Sequence, residues 1–170
     1  PAQCQQEISK GYLAGRNDRT GYHLKRKIVL KSGWTNCTTS SPEETLEKGK
    51  QFARFIETGD IFAFSGQLAS GKTTFIKGIA NGLGYKGEVT SPTFTLINEY
   101  HSLPEIIHLD CYRETNLNRW INLGINEYFN ADCIVFIEWP KVIKAILPDR
   151  TITILLSHID ENKRKININI

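Results

Sequence analysis

The run Gly66-Gln67-Leu68-Ala69-Ser70-Gly71-Lys72-Thr73 matches G-x-x-x-x-G-K-[ST] at every fixed position. That spacing suits a polyphosphate. Glycines let the main chain approach an anion closely, successive backbone N–H groups then point inward, and a helix opening at Lys72 adds the positive end of its dipole. Lys72 would supply a mobile cation to the β and γ phosphates of a nucleoside triphosphate, and the Thr73 hydroxyl a ligand for Mg²⁺. Gln67, Leu68, Ala69 and Ser70 fill the variable positions, and Thr74 extends the candidate surface into the helix. The bland alternative is a glycine turn whose lysine is merely solvated.

Two acids stand where such a loop needs them. Glu138 ends the apolar run Ile134-Val135-Phe136-Ile137, and an acid at the carboxyl end of a buried strand beside the loop strand is placed to hold Mg²⁺ or orient water. It is the leading catalytic acid, against the alternative of a solvated strand end. Asp110 follows Ile106-Ile107-His108-Leu109 in the same way; it is either a second active-site acid, a cap on the next helical turn, or a partner of Arg113. His108 is expected to alternate outward on its strand. Arg113 is left out of catalysis as a surface ion-pair partner.

The elements that must position these groups alternate between strand and helix. Ser41-Pro42-Glu43-Glu44 signals a helix start, with the helix expected to run to about Ile56 and to end at Thr58-Gly59-Asp60. Ile61-Phe62-Ala63-Phe64 reads as a strand buried on both faces, followed by the loop and by a helix from Lys72 to about Asn81. Further strands are expected over Thr93 to Tyr100, Ile106 to Leu109, Ile134 to Ile137, Thr151 to Leu156 and Lys165 to Ile170. Helical turns are expected near Asn116 to Ile121, Ile125 to Phe129 and Lys141 to Ile146. The fold class this gives is α/β, a P-loop NTPase-like three-layer sandwich with a mixed, mostly parallel central sheet flanked by helices.

Charge is distributed unevenly. Residues 1 to 37 hold seven Lys+Arg against two acids, whereas residues 38 to 170 hold fourteen against sixteen, so the net +3 belongs to the leader and the body has no overall case for gripping a polyanion. The expected organisation is a poorly ordered basic arm over 1–40 and a P-loop ATPase domain over 41–170. The chain starts at Pro1 and has no Met, which reads as a processed or fragmentary product, and the arm is assigned no activity. The four cysteines, Cys4, Cys37, Cys111 and Cys133, lack zinc-site spacing and read as free thiols. With no secretory pattern and no apolar run of about 20 residues, a cytoplasmic setting without membrane contact is expected.

Three further segments, Thr90-Ser91-Pro92-Thr93-Phe94-Thr95-Leu96, His108-Leu109-Asp110-Cys111-Tyr112-Arg113 and Ile137-Glu138-Trp139-Pro140, occur in an order and spacing that resembles the bacterial TsaE (YjeE) family over about residues 41 to 170. The resemblance implies an ATPase serving threonylcarbamoyladenosine modification of tRNA at A37, with low turnover until partners of the TsaD and TsaB type arrive and with tRNA reached only indirectly. It implies that Thr73 and Glu138 hold Mg²⁺ and that Ser91 to Thr93 behaves as a switch near the γ-phosphate. Thr45 would lie near the adenine and Trp139 beside the nucleotide, although Trp139 equally suits a core anchor. The family loop reads G-[DE]-L-G-A-G-K-T, from which Gln67, Ala69 and Ser70 depart. If Ala69 must take φ > 0, its methyl costs about 1 kcal/mol, so ATP binding is expected to be retained but weakened.

Two other functions share the loop. A small-molecule kinase needs an enclosing arginine-rich lid, but the arginines after the loop, Arg113, Arg119, Arg150 and Arg164, are isolated. A nucleotide-gated binding module with negligible turnover would use the segment near Thr93 as its switch. Guanine specificity is disfavoured because the chain has no N-K-x-D tetrad.

Overall fold

The computed structural model describes residues 36–169. Most of the expected arm, including Cys4, therefore lies outside the described residues. Within them the chain runs β1 (Asn36–Thr39), α1 (Pro42–Phe52), a 3₁₀ turn (Ala53–Phe55), β2 (Ile61–Ser65) and α2 (Lys72–Gly82). It continues through β3 (Ile97–Tyr100), β4 (Glu105–Asp110), α3 (Leu117–Asn122), α4 (Ile125–Asn130) and β5 (Cys133–Glu138), and ends with a second 3₁₀ segment (Pro140–Ile146), β6 (Ile152–His158) and β7 (Arg164–Asn169).

The seven strands form one sheet in the order β1-β7-β6-β2-β5-β4-β3. Its centre, β6-β2-β5-β4, is parallel. Both edges are antiparallel, with β3 folding back on β4 and β1 and β7 finishing the other side. Parallel register brings the carboxyl ends of β2, β4 and β5 to one edge, the edge at which α/β sheets offer a ligand crevice.

Alternation along the central strands divides the core in two. Phe62 and Phe64 of β2 and Phe136 of β5 meet Phe52 of α1 and Phe75 of α2, with ring centroids 5.8 to 6.4 Å apart. Full burial of each such ring contributes about 2–3 kcal/mol. The two covering helices touch at glycine. A Cβ on Gly78 would lie 2.0 Å from the Leu46 carbonyl oxygen, so nothing larger fits between α1 and α2. On the opposite face, Ile61, Ile107, Leu109, Val135 and Ile137 pack with Trp120, Ile125, Phe129 and Ile143 from α3, α4 and the second 3₁₀ segment. The sheet thus sits between two helical layers, as expected.

Local signals account for the helix ends. The Ser41 side chain accepts the Glu44 N–H at 3.1 Å while Glu44 accepts the Ser40 N–H at 2.7 Å, and Pro42 takes the first helical position. The α-helix stops at Phe52 rather than about Ile56, because its last turn tightens into the 3₁₀ form.

Three elements differ from expectation. Residues 36–39, counted with the arm, form a strand paired with β7 from Asn36↔Asn167 to Thr39↔Arg164, so the sheet begins before residue 41. The strand expected from Thr93 begins at Ile97, because Leu96 adopts φ 69 and its N–H turns back to the Pro92 carbonyl at 2.6 Å. The turn expected at Lys141 is 3₁₀ and starts at Pro140, behind a left-handed Trp139. Among the described residues no helix is long and apolar enough to cross a membrane.

Candidate functional site

Strand β2 is buried on both faces and delivers the chain into a loop that only particular residues can follow. Gly66 has φ 145, and a Cβ there would sit 2.1 Å from the Leu156 carbonyl oxygen. Gly71, at φ 94, is the N-cap of α2. Between them Ala69 has φ 58, the left-handed conformation in which its methyl is strained. Gln67 and Leu68 are exposed, and the Ser70 N–H closes a turn on the Gln67 carbonyl at 3.2 Å. The first helical bond is from the Phe75 N–H to the Gly71 carbonyl, so the N–H groups of Lys72, Thr73 and Thr74 open the helix without an intrahelical acceptor. The Ser70 hydroxyl is buried and has no hydrogen-bond partner.

The Lys72 ammonium curls over this loop. Its Nζ donates to the carbonyls of Gln67 at 3.0 Å and Gly66 at 3.3 Å, and stands 3.9 Å above the centroid of the Trp139 ring. Burial pushes its pKa down from the ordinary 10.5, while the Glu138 and Asp110 carboxylates pull it back. Trp139 reaches the lysine because its backbone turns left-handed at φ 56, and its ring leans on Tyr112, 4.8 Å between centroids. Trp139 is half-buried and faces the loop lysine.

Glu138 ends β5 almost fully buried, on the face that carries Ile134 and Phe136. Its Oε1 accepts the Thr73 hydroxyl at 2.7 Å and faces His108 Nε2 at 3.1 Å. His108 does not alternate outward. It is fully buried on the inner face of β4, with Nδ1 3.1 Å from the Tyr100 hydroxyl. Asp110 lies two residues further along β4, and so on the same face, paired in register with Glu138. Its Oδ2 accepts the hydroxyls of Ser91 at 2.7 Å and Thr93 at 2.6 Å, and its Oδ1 accepts the Tyr112 N–H at 2.9 Å. No pairing of Asp110 with Arg113 is seen; the Arg113 guanidinium lies over the Phe94 ring at 4.7 Å.

Thr45 is buried beneath the loop. Its hydroxyl donates to the Ser41 carbonyl at 3.0 Å and meets Thr39 Oγ1 at 2.7 Å, while its methyl lies 3.6 Å from where a Gly71 Cβ would be. A groove of about 320 Å³ runs from Thr73 and Thr74 past Lys77 and Val89 to Pro42, Glu43 and Leu46. The other arginines after the loop are used locally: Arg119 pairs with Glu114 at 2.9 Å, Arg150 donates to the Phe129 carbonyl, and Arg164 donates to carbonyls of its own turn.

The residues present fit a magnesium nucleotide. The loop packs Gly66 against the Leu156 carbonyl with no room for a Cβ, carries a lysine bonded to its carbonyls and an unpartnered buried Ser70 hydroxyl, and ends at a hydroxyl bonded to a carboxylate. Among the described residues no group of three or more His, Cys, Asp or Glu is arranged to hold a metal ion by itself.

The loop, Glu138 and Asp110 singled out in the sequence are brought together at one end of the sheet, whereas sequence reasoning missed Tyr100, Ser91 as an Asp110 partner, and the inward turn of His108. The period of two along β4 was the available signal: a strand that points Asp110 at the site points His108 the same way.

Comparison with known proteins gives one consistent result. Residues 39–166 match the family described as "Threonylcarbamoyl adenosine biosynthesis protein TsaE". A protein of Treponema pallidum named tRNA threonylcarbamoyladenosine biosynthesis protein TsaE is 36% identical over 132 residues, 78% of this chain and 98% of that protein. The protein of the same name from Bacillus subtilis is 39% identical over 130 residues, 75% of this chain and 80% of that protein. The crystal structure of Bacillus subtilis YdiB superposes with a TM-score of 0.67 at 34% identity, covering 78% of this chain and 82% of the other.

Proposed function

The chain belongs to the TsaE family, and from that premise we propose that it is a Mg²⁺-dependent P-loop ATPase serving tRNA N6-threonylcarbamoyladenosine biosynthesis. The observation that carries the reading is the Thr73–Glu138 hydrogen bond of 2.7 Å, set beside Lys72 at the mouth of the loop. By donating its proton to Glu138 Oε1, Thr73 leaves its oxygen lone pairs directed outward for a cation. Lys72 exchanges its two carbonyl contacts for the β and γ phosphate oxygens, a stronger charge-assisted pairing. The open N–H groups at the start of α2 receive the remaining phosphate charge. Mg²⁺ held there by Thr73 and Glu138 would supply neutralisation of phosphate charge. Glu138 is the group that orients the attacking water, and the Ser91 to Thr93 segment is the switch that Asp110 holds ready.

The names of the relatives support the tRNA-modification role. The partners in this reading are subunits of a threonylcarbamoyl-transfer complex of the TsaD and TsaB type, tRNA being reached through them, in the cytoplasm. Turnover by the isolated chain is slow and rises when those subunits bind. A nucleotide-gated module with negligible turnover is the second reading, favoured by the hydroxyl latch on Asp110. A kinase lid finds no support in the local engagement of Arg113, Arg119, Arg150 and Arg164.

Phosphate release from ATP and Mg²⁺, measured with and without the transfer complex, tests the proposal. Slow release that the complex accelerates supports it. Tight ATP binding with no release under either condition would establish the gated module instead, and phosphate appearing on a small acceptor would establish a kinase.

A further inference from the structure

We infer that His108 and Tyr100 are positioning residues: they hold the Glu138 carboxylate from within the sheet and tie it to the base of the switch segment at Thr90. The effect on turnover rests on the ATPase reading above, whereas the tie itself does not.

The contacts run in one line. Glu138 Oε1 faces His108 Nε2 at 3.1 Å, His108 Nδ1 faces the Tyr100 hydroxyl at 3.1 Å, and that hydroxyl lies 3.0 Å from the Thr90 carbonyl. All three side chains are buried: Glu138 is 2% exposed, His108 0% and Tyr100 5%. Water therefore does not compete for these bonds, and loss of a partner would leave a polar group in the core unsatisfied. Because Glu138 Oε1 also takes the Thr73 hydroxyl, one carboxylate oxygen is held from two sides, by the phosphate loop and by the sheet. Supporting shells of this kind hold a reactive carboxylate to a narrow geometry.

The far end of the line is the informative one. Thr90 precedes Ser91 and Thr93, the residues latched on Asp110, and its carbonyl is reached by Asn98 Nδ2 at 3.3 Å as well as by Tyr100. Tyr100 carries one hydroxyl proton and has two acceptors in reach, so its hold on Thr90 and its hold on His108 draw on the same group. Displacement of the switch segment is thereby felt at the imidazole, and through it at Glu138. His108 and Asp110 stand on one face of β4, so a single strand carries both restraints on the segment.

The test is a cycle of Tyr100→Phe, His108→Gln and the double variant in the full chain, with His108→Ala for comparison. Phenylalanine keeps the ring against Tyr85, 5.1 Å away, and removes only the hydroxyl. Glutamine keeps an N–H for Glu138 but offers Tyr100 no matched partner. Tyr100→Phe is expected to leave the affinity for Mg·ATP within about twofold, to lower kcat about tenfold, and to speed amide exchange over residues 90–96 while β5 is unchanged. The double variant should be no slower than His108→Gln, and His108→Ala slower than both, since glutamine rescues the Glu138 contact alone. Unchanged exchange over 90–96 in Tyr100→Phe, or kcat losses that multiply in the double variant, would overturn the inference. Should the unsubstituted protein show no ATP turnover even with its partners, the ATPase reading falls, and the exchange comparison still decides the tie.

Discussion

Asp110 and Glu138 stand opposite each other in register at the carboxyl ends of β4 and β5, both almost fully buried, yet they hold different parts of the molecule. Glu138 faces the phosphate loop and the sheet, accepting from Thr73 and meeting His108. Asp110 faces the segment before β3, where Ser91 and Thr93 share one of its oxygens and the Tyr112 N–H takes the other. Strand position alone therefore does not assign the role of an acid; the loop that reaches it does. The pairing sets a carboxylate bonded to the Gly-rich loop beside one that holds the segment before β3.

The largest test of that division is Glu138→Gln. Turnover should fall by about 10²-fold or more while ATP affinity changes only a few-fold, read by phosphate release and by calorimetry. Asp110→Asn should cost less, about tenfold in turnover, and should mark itself by faster amide exchange over residues 91–96. Equal losses from both substitutions, with no change in exchange, would erase the distinction. Ala69→Gly sharpens the comparison from the loop side. Relief of the left-handed methyl should outweigh the added chain entropy of glycine, giving a net gain of about 0.5–1 kcal/mol in unfolding and somewhat tighter ATP binding.

The smallest effect comes from two thiols nearby, Cys111 just after β4 and Cys133 at the start of β5. Burial, with Asp110 adding to it, pushes the Cys111 thiol up to about 12, and burial pushes Cys133 up to about 11, from an ordinary 9.0. Their unfolded forms ionise first. The stability they contribute is accordingly full below about pH 9 and is lost as pH rises through 11 and 12, which denaturant titration against pH would show. Asp110→Asn should bring the Cys111 transition lower and leave that of Cys133 unmoved.

How much of this could be read without coordinates depended on whether the determinant was local. The phosphate loop was legible because glycine at Gly66 and Gly71 answers a main-chain requirement of those positions. The strand ends at Asp110 and Glu138 were legible because Glu138 closes an unbroken apolar run and Asp110 closes one interrupted only by His108. Strand β1 was not, since Asn36-Cys37-Thr38-Thr39 has no apolar rhythm and is ordered by its ladder to β7. The bend at Leu96 was equally hidden, because the left-handed turn there is bound up with hydroxyl contacts to Asp110, 19 and 17 residues away from Ser91 and Thr93. His108 was misread by treating one polar residue on a strand as outward facing, when its phase with Asp110 already placed it inside.

The central claim is that main-chain amides at the head of α2, together with the Lys72 ammonium, grip the triphosphate. Calorimetric titration of Mg·ATP into the unsubstituted chain and into Lys72→Ala tests it most directly. The account predicts saturable binding to the first and loss of at least about 2 kcal/mol, some thirtyfold in affinity, in the second. Equal affinity in both would contradict it.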